Sequence, residues 1–282
     1  MSADLYEHAL AHGYVLLRGA IPPALLADLR RGVAPVIADR DRDGRSGRAC
    51  VTRHPTLLEP SVYHPSFRDF LDLGTMNLAA QEMSRSERLV FGGLAILTGS
   101  AEPGLCPWHR DFKDDHPEIP ALKRECPTSY IQTNCAIYDD PSLWIVPGSH
   151  TRYSYPEEHA HARPLGESPM FLPMAEADHM QPGHLAGMPG AIQVTMQAGD
   201  CLLYNPLLWH AAEYRPERVR ATLHGGWRTE GMADRFSPCR WGLEHNPWLQ
   251  EPSYLGDPGR FFGPQLARYN DESRRWAHAP VG

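Results

Sequence analysis

The sequence predicts a mainly β domain, a sandwich or closed barrel of short strands with flanking helices. Seven strand-like runs follow residue 87, and no long helices separate them as βαβ units would require. Glycine (24 residues) and proline (27 residues) are spread along the chain, which favours many turns over a helical bundle. The length of 282 residues is compatible with one such domain.

Residues 1–87 are expected to form a helical cap around the first strand. The predicted elements are a helix over residues 3–12, a strand over 14–19, a helix beginning at Pro22 and Pro23, and a helix over 67–83. Gly13 is a natural end for the first helix because glycine tolerates the left-handed conformation that follows many helices. The stretch between 39 and 60 is polar and rich in turn residues, and we expect a mobile surface loop there.

Residues 88–227 are expected to form the β core, and residues 228–282 an aromatic-rich C-terminal wrap over the core or against a second copy of the chain. The predicted core strands cover residues 88–91, 94–97, 130–138, 143–146, 191–196, 201–204 and 219–223. Two irregular segments, 112–127 and 152–188, interrupt them. Loops of this length often carry function.

The composition and charge of the chain limit the kinds of molecule that it is expected to bind. The net charge of −7 gives no basic surface for nucleic acid or an anionic membrane, which leaves a small molecule as the expected substrate. Six cysteines lie far apart without a C-x-x-C pair, so neither a zinc knuckle nor a disulfide framework is indicated. The N-terminus has no secretory pattern and no apolar run is long enough to span a membrane, so we expect a cytoplasmic protein.

Three side chains have the residue types and order of a metal site. His109 and Asp111 are two positions apart, so on an extended strand both would point to one side, and His210 ends a later apolar run. Two imidazoles and one carboxylate can hold iron(II) on one face and leave three coordination positions open. Alone, the first two residues could be an ordinary polar pair and His210 a hydrogen-bonded histidine at a strand end.

Arg220 stands ten residues beyond His210, early in a strand-like run. A guanidinium is always charged and pairs with a carboxylate through two hydrogen bonds, which suits the far end of a bound 2-oxo acid. A surface charge is the alternative, and Arg218 would face the same way.

The ordered set of motifs resembles the phytanoyl-CoA dioxygenase family of iron(II)- and 2-oxoglutarate-dependent oxygenases. The similarity extends over about residues 5–227, and its motifs are WHRD (108–111), WIVPGSH (144–150) and AGDCLLY (198–204), followed by His210 and Arg220. One turn departs from the family pattern, because Asp139-Asp140-Pro141-Ser142 replaces a common acidic-Asn-Gly turn. The resemblance therefore gives no expectation for the conformation of this turn or for the side of the substrate site next to it.

The resemblance implies a double-stranded β-helix, a cupin-like jelly-roll barrel, with His109, Asp111 and His210 as the iron ligands. By the same resemblance Arg220 pairs with the 5-carboxylate of the cosubstrate 2-oxoglutarate, and O2 is the oxidant. Arg220 is preferred to Arg218 because the residues after it match the family strand. The polar residues expected to steady the other end of 2-oxoglutarate alternate on one predicted strand, and they are Gln132 and Asn134.

The resemblance favours a hydroxylase acting on an unactivated C–H bond, with release of succinate and CO2, over a halogenase, because position 111 is aspartate. It leaves desaturation and ring formation open as other outcomes. Residues beside the metal that are expected to touch the substrate, unless they form a solvated charged loop, are Arg110, Phe112, Lys113 and His116. The turn at 147–150 is interpreted as structural. The alternative function is a cupin-like isomerase or binding protein that holds a metal and uses no oxo acid.

Overall fold

A computed structural model of the chain describes residues 4–42, 53–54, 56–99, 103–112, 120, 123, 128–162, 172–173, 183–233 and 246–277. The described strands form two antiparallel sheets. Apolar side chains from both sheets meet between them, with Ala136 and Leu202 from one sheet packed in the same cluster as Leu143 and Ile145 from the other. The molecule is therefore built around two facing sheets.

The larger sheet has six strands in the order β1-β9-β5-β11-β3-β2, and the smaller has five in the order β7-β4-β10-β6-β8. The strands are β1 (Tyr14–Leu17), β2 (Arg53–His54), β3 (Leu89–Thr98), β4 (Gly104–His109), β5 (Tyr130–Ala136), β6 (Asp140–Ile145), β7 (Leu172–Pro173), β8 (Ile192–Met196), β9 (Cys201–Tyr204), β10 (His210–Tyr214) and β11 (Ala221–Thr229). From β3 to β6, and again from β8 to β11, each strand lies in the opposite sheet from the one before it. This winding is that of a jelly-roll double-stranded β-helix and confirms the predicted fold class, although the described strands make two facing sheets and not one closed barrel.

Helices cover the outer face of the larger sheet, apart from the helix at Pro156–His161, where His159 contacts Trp209 beside the smaller sheet. They are α1 (Leu5–His12), α2 (Pro23–Arg42), α3 (Pro65–Leu71), α4 (Gly74–Ser84), α5 (Pro156–His161), α6 (Glu230–Ala233) and α7 (Phe262–Ala277). The main apolar core lies under them, where Phe262 of α7 meets Phe91 of β3 with ring centres 5.3 Å apart. Within the described residues, no helix has both the length and the apolar character that crossing a membrane requires.

The junction between α1 and β1 shows why the first helix ends where the sequence predicts. Asp4 caps the start of α1 by accepting hydrogen bonds from two backbone N–H groups, and Gly13 follows the last residue with φ of +82°. A Cβ atom at position 13 would lie 2.6 Å from Nδ1 of His150. Glycine is therefore required both by the backbone angle and by the close approach of the buried His150.

Several predicted boundaries are wrong for identifiable reasons. The expected mobile loop over 39–60 is partly regular, because α2 continues to Arg42 and the fully buried Leu57 and Leu58 anchor the chain on β3. The remaining positions 43–52 and 55 lie outside the described residues. The single helix expected over 67–83 is divided between α3 and α4. The runs 88–91 and 94–97 belong to one strand, β3, because the chain pairs with β11 on both sides of Gly92 and Gly93.

Candidate metal centre

His109, Asp111 and His210 meet at one end of the smaller sheet. His109 ends β4 and His210 begins the neighbouring β10, where the two residues are directly opposed. Nε2 of His109 lies 3.8 Å from Oδ1 of Asp111, and Nε2 of His210 lies 3.6 Å from the same oxygen. One potential ligand atom from each residue lies within 4.8 Å of the others, so the three can converge on a single ion.

Asp111 reaches this position by a different route from the one predicted. β4 ends at His109, so Asp111 lies in the bend that follows and not on the same strand. Its backbone N–H donates to the carbonyl of Pro206, 3.1 Å away, which ties the bend to the segment before β10. The two-residue spacing brings the side chains together, but the simple alternation of a strand is not the cause.

Backbone carbonyls fix the orientation of both histidines. Nδ1 of His109 is 2.7 Å from the carbonyl oxygen of Pro107, and Nδ1 of His210 is 2.9 Å from that of Leu208. Because a carbonyl can only accept, the neutral form of each ring carries its hydrogen on Nδ1. In that neutral form, each ring presents the lone pair of Nε2 toward Asp111, as a metal ligand requires.

Charge and burial act against each other at the three side chains. Burial opposes ionisation of Asp111, but the charges of His210 and His109 and a hydrogen bond from Gln132 hold the pKa of its carboxyl below the usual value. Burial, together with the charge of His109, lowers the pKa of His210 to about 4. In His109 the effect of burial is outweighed by Cys106 and Asp111, which raise the pKa to about 9. A metal ion must therefore displace a proton from His109 when it binds.

Gln132 and Asn134 lie on the inner face of β5, as their alternation predicts. The side-chain amide of Gln132 donates to Oδ2 of Asp111, which leaves Oδ1 facing the two histidines. Asn134 is 3% exposed, and its Oδ1 has no hydrogen-bond partner in the part of the chain that the structure describes. Gln132 thus orients a ligand, while Asn134 offers a buried acceptor beside the site.

Arg220 is buried just before β11, whereas Arg218 is exposed. Nε of Arg220 donates to Oδ2 of Asp140 at 3.0 Å, and the guanidinium carbon lies 5.2 Å from the centre of the Tyr214 ring. Burial alone would lower the pKa of Arg220, but the nearby Asp140 carboxylate raises it above its usual value. Its Nη1 finds no hydrogen-bond partner among the described residues.

Cys106 connects this arginine with the metal ligands. Its sulfur lies 3.8 Å from Nδ1 of His109, and its side chain packs with Tyr214 between the two sheets. Tyr214 in turn makes a side-chain hydrogen bond with Arg220. The guanidinium and the three ligands therefore face the same interior.

The residues expected to touch substrate differ in their placement. Arg110 is 7% exposed, and its Nη1 donates to the carbonyls of Ser149 and Leu207, both at 2.8 Å. It lies over the ring of Trp209, on the opposite side of the strand from His210. Backbone carbonyls thus hold its guanidinium away from the ligands, which indicates a structural role, and the expected substrate contact of Arg110 stays a prediction.

Phe112 is half-buried next to the site. Its ring centre lies 6.0 Å from that of Tyr130, and the two pack with Leu207 and Met232. This apolar group borders the bend that carries Asp111. Lys113 and His116 lie outside the described residues.

The turn at 147–150 has the structural role predicted for it. Gly148 has φ of +76° and donates its N–H to the carbonyl of His12, while Oγ of Ser149 accepts the N–H of Trp209 at 2.9 Å. His150 is fully buried. The turn thus fixes the segment that leads into His210.

Sequence reasoning missed two residues near the site, His224 and Asp140. His224 pairs with Asn134 across neighbouring strands and so shares its inner face. The period-two alternation from Arg220 along β11 could have identified it. Asp140, the partner of Arg220, is the second residue of the turn that departs from the family pattern, and that departure was the available signal.

Comparisons with known proteins agree with this geometry. The model of the phytanoyl-CoA dioxygenase (PhyH) family matches residues 10–216. A search of curated proteins found no match. Among solved structures, EctD from S. alaskensis, crystallised with 2-oxoglutarate and 5-hydroxyectoine, is similar with a TM-score of 0.55 and 17% identity over 82% of this chain and 77% of EctD.

Two further solved structures have the same fold. The α-ketoglutarate-dependent carbocyclase SnoK from nogalamycin biosynthesis has a TM-score of 0.54 and 16% identity over 82% of this chain and 85% of SnoK. AviO1 from Streptomyces viridochromogenes Tue57 has a TM-score of 0.54 and 18% identity over 80% of this chain and 94% of AviO1. At these identities the similarity concerns the fold.

Proposed function

Because the chain belongs to the phytanoyl-CoA dioxygenase (PhyH) family, we propose that it is an iron(II)- and 2-oxoglutarate-dependent oxygenase that hydroxylates an unactivated C–H bond of a small molecule. In this reaction one oxygen atom of O2 enters the substrate as a hydroxyl group, and the other enters succinate as 2-oxoglutarate loses CO2. The observation that carries the proposal is the convergence of His109, Asp111 and His210, with the buried Arg220 facing the same interior.

The donor set fits iron(II). Two imidazole nitrogens and one carboxylate oxygen are the ligands of the facial arrangement that non-haem iron oxygenases use. Two coordination bonds of about 2 Å reach atoms at most about 4 Å apart, so the three ligand atoms, which lie within 4.8 Å of one another, must draw closer together when the ion binds. The hydrogen bonds made by Nδ1 of both histidines and accepted by Oδ2 of Asp111 keep these ligands oriented toward the common centre.

Arg220 is the group that fits the distal carboxylate of 2-oxoglutarate. Its unpartnered Nη1 supplies a charged donor in a buried position, where an isolated carboxylate would be costly to desolvate. At the other end of the cosubstrate, Asn134 offers a buried amide, and Gln132 touches the ligand Asp111. We propose that these two residues steady the end that lies nearest the metal.

When bound, iron(II) would supply the redox chemistry that activates O2. The chain itself contributes the geometry of the site. Gln132 keeps one oxygen of Asp111 occupied, and the backbone carbonyls orient the two imidazole rings. These residues thus position the ligands and cosubstrate before the substrate enters.

Hydroxylation is proposed over halogenation because Asp111 occupies the position where related halogenases have a small residue. EctD was crystallised with a hydroxylated compound, whereas SnoK is described as a carbocyclase. The same fold thus accommodates both outcomes, and the position of the substrate would decide between them. The half-buried Phe112 and Tyr130 pair offers an apolar surface for the carbon skeleton of that substrate.

The proposal is tested by succinate release in the presence of iron(II), 2-oxoglutarate and O2, measured across a panel of small metabolites. We expect a background of uncoupled release that one class of compound raises, with a product heavier by one oxygen atom. His210→Ala, a loss of one ligand, should abolish both the background and the stimulated release. A folded protein that binds iron(II) but never consumes 2-oxoglutarate would instead support a cupin-like isomerase or binding protein.

A further inference from the structure

We propose that Asp140 is a positioning residue that holds Arg220 in the orientation needed to receive the distal carboxylate of 2-oxoglutarate. This inference rests on the proposed function and adds to it the group that sets the geometry of the cosubstrate site. Asp140 opens β6 in the smaller sheet, and Arg220 immediately precedes β11 in the larger one. Their contact therefore bridges the two sheets across the interior.

The Asp140 carboxylate is fixed through both of its oxygens. Oδ1 accepts the backbone N–H of Ser142 at 2.9 Å, and Oδ2 accepts Nε of Arg220 at 3.0 Å. Pro141 follows directly, which restricts the backbone of Asp140 to extended conformations. The side chain of Asp140 is 1% exposed, so the carboxylate has little freedom to turn toward solvent.

The contacts with Asp140 and Tyr214 leave one nitrogen of the guanidinium unused. Asp140 occupies Nε, at the side of the group, while Nη1, at its end, has no partner within the described residues. A buried donor without an acceptor is unfavourable, and more so when it is charged. A free charged donor in a buried position is expected where a second acceptor binds. One carboxylate could therefore accept from Nη1, at the end of Arg220, while Asp140 accepts from Nε at its side.

Charge balance supports the same assignment. A buried guanidinium without a counter-charge is strongly unfavourable, so Arg220 without Asp140 would be expected to turn away whenever no cosubstrate is bound. Asp140 keeps it in place between binding events. The alternative is a purely structural pair that ties the sheets together and has no effect on ligand binding. The two roles predict different affinities for 2-oxoglutarate when Asp140 is replaced.

The test measures binding, by calorimetry of the iron(II)-loaded protein without oxygen, of 2-oxoglutarate and of 2-oxopentanoate, which has the same chain but no distal carboxylate. Asp140→Ala should weaken 2-oxoglutarate binding by about tenfold or more, since a charge-assisted hydrogen bond orients the arginine. Asp140→Asn should recover part of that affinity, because its one amide oxygen can accept from Nε of Arg220 although its NH2 group then faces the N–H of Ser142. Binding of 2-oxopentanoate should be unchanged in both variants.

Asp200→Ala is the matched control, because Asp200 is also a buried carboxylate paired with an arginine, and its hydrogen bonds go to Arg18, Gly19 and Gln197. It should lower the melting temperature and leave 2-oxoglutarate binding intact. If Asp140→Ala does not fold, Asp140→Ser replaces it, since serine can still accept from Ser142 but is too short to reach Arg220.

Unchanged 2-oxoglutarate binding in Asp140→Ala, or equal losses for both oxo acids, would overturn the positioning role. Failure of the asparagine variant to recover affinity would overturn it as well. If the unmodified protein binds iron(II) but not 2-oxoglutarate, the proposed function itself fails, and this outcome is distinct from a failure confined to the Asp140 variants.

Discussion

The imidazole of His210 faces that of His109 across two neighbouring strands, with ring centres 4.1 Å apart. The two residues are directly opposed in the register of β10 and β4, and Asp111 follows in the bend after β4. The site is therefore assembled by strand register. A shift of one residue in this pairing would turn one imidazole to the other face of the sheet.

Replacing Gln132 with leucine should weaken metal binding without removing a ligand. The Gln132 amide fixes Oδ2 of Asp111, and loss of such an outer contact commonly lowers metal affinity by about 10–100-fold. Titration with iron(II) in the absence of oxygen would measure the change. Asn134→Leu is the matched control, because Asn134 lies two residues along the same face, and its metal affinity should stay near that of the unmodified protein.

Gly13→Ala should destabilise the fold more than Gly19→Ala. Both glycines have positive φ, but a Cβ at position 13 would lie 2.6 Å from His150, whereas at position 19 nothing lies within 4 Å. The difference in the free energy of unfolding should be about 1–3 kcal/mol, the usual cost of overpacking. Urea denaturation of the two variants measures it, and equal losses would show that the contact with His150 is easily relieved.

Stability should fall on acidification because of His150. Burial and the charges of Arg110 and Lys123 lower its pKa to about 4 from the ordinary 6.5. Between these two pH values, His150 is therefore protonated in the unfolded chain and neutral in the folded protein. The neutral form therefore contributes stability above pH 6.5 that is progressively lost as the pH falls toward 4. The contribution is about 2–3 kcal/mol between pH 7 and pH 4.5.

His150→Gln removes this titration and serves as the comparison. The measured quantity is the free energy of unfolding at both pH values for each protein. Other titrating groups contribute equally to the two proteins, so the variant should lose less stability on acidification. The same loss in both would contradict the account of His150.

Arg110→Met should reduce stability while leaving metal affinity unchanged. The buried guanidinium donates to three backbone carbonyls, and breaking such contacts typically costs about 3 kcal/mol. Arg218→Met, at an exposed position, should have little effect. Denaturation and iron(II) titration of both variants measure these effects. Unchanged stability in Arg110→Met would contradict the structural role and favour the substrate contact that the sequence suggested.

Much of the site could be predicted from the sequence because its chemistry requires particular residue types in a fixed order. The convergence of His109, Asp111 and His210 was predicted, as was the choice of Arg220 over Arg218, which the burial of the first and exposure of the second support. The alternation of Gln132 and Asn134 on one strand was also predictable, since it depends only on local backbone geometry.

Features that depend on tertiary contacts could not be predicted. The strands β4 and β10 carry ligands but have short, mixed sequences without a clear period, and β-propensity is weak evidence in such cases. Arg110 looked accessible because it lies beside the ligands, and only the fold shows that backbone carbonyls surround it. Likewise, the pairing of Asp140 with Arg220 joins different sheets, so no local pattern reveals it.

The visible absorption of the protein mixed with iron(II) and 2-oxoglutarate in the absence of oxygen shows whether the three residues hold an iron ion that binds the oxo acid. We expect a charge-transfer band from the chelate of the oxo acid with iron held by His109, Asp111 and His210. The band should be absent in His210→Ala and should need much more 2-oxoglutarate in Arg220→Ala. A folded, iron-loaded protein without this band at saturating 2-oxoglutarate would show that the iron site does not bind the oxo acid, and the proposed function would be wrong.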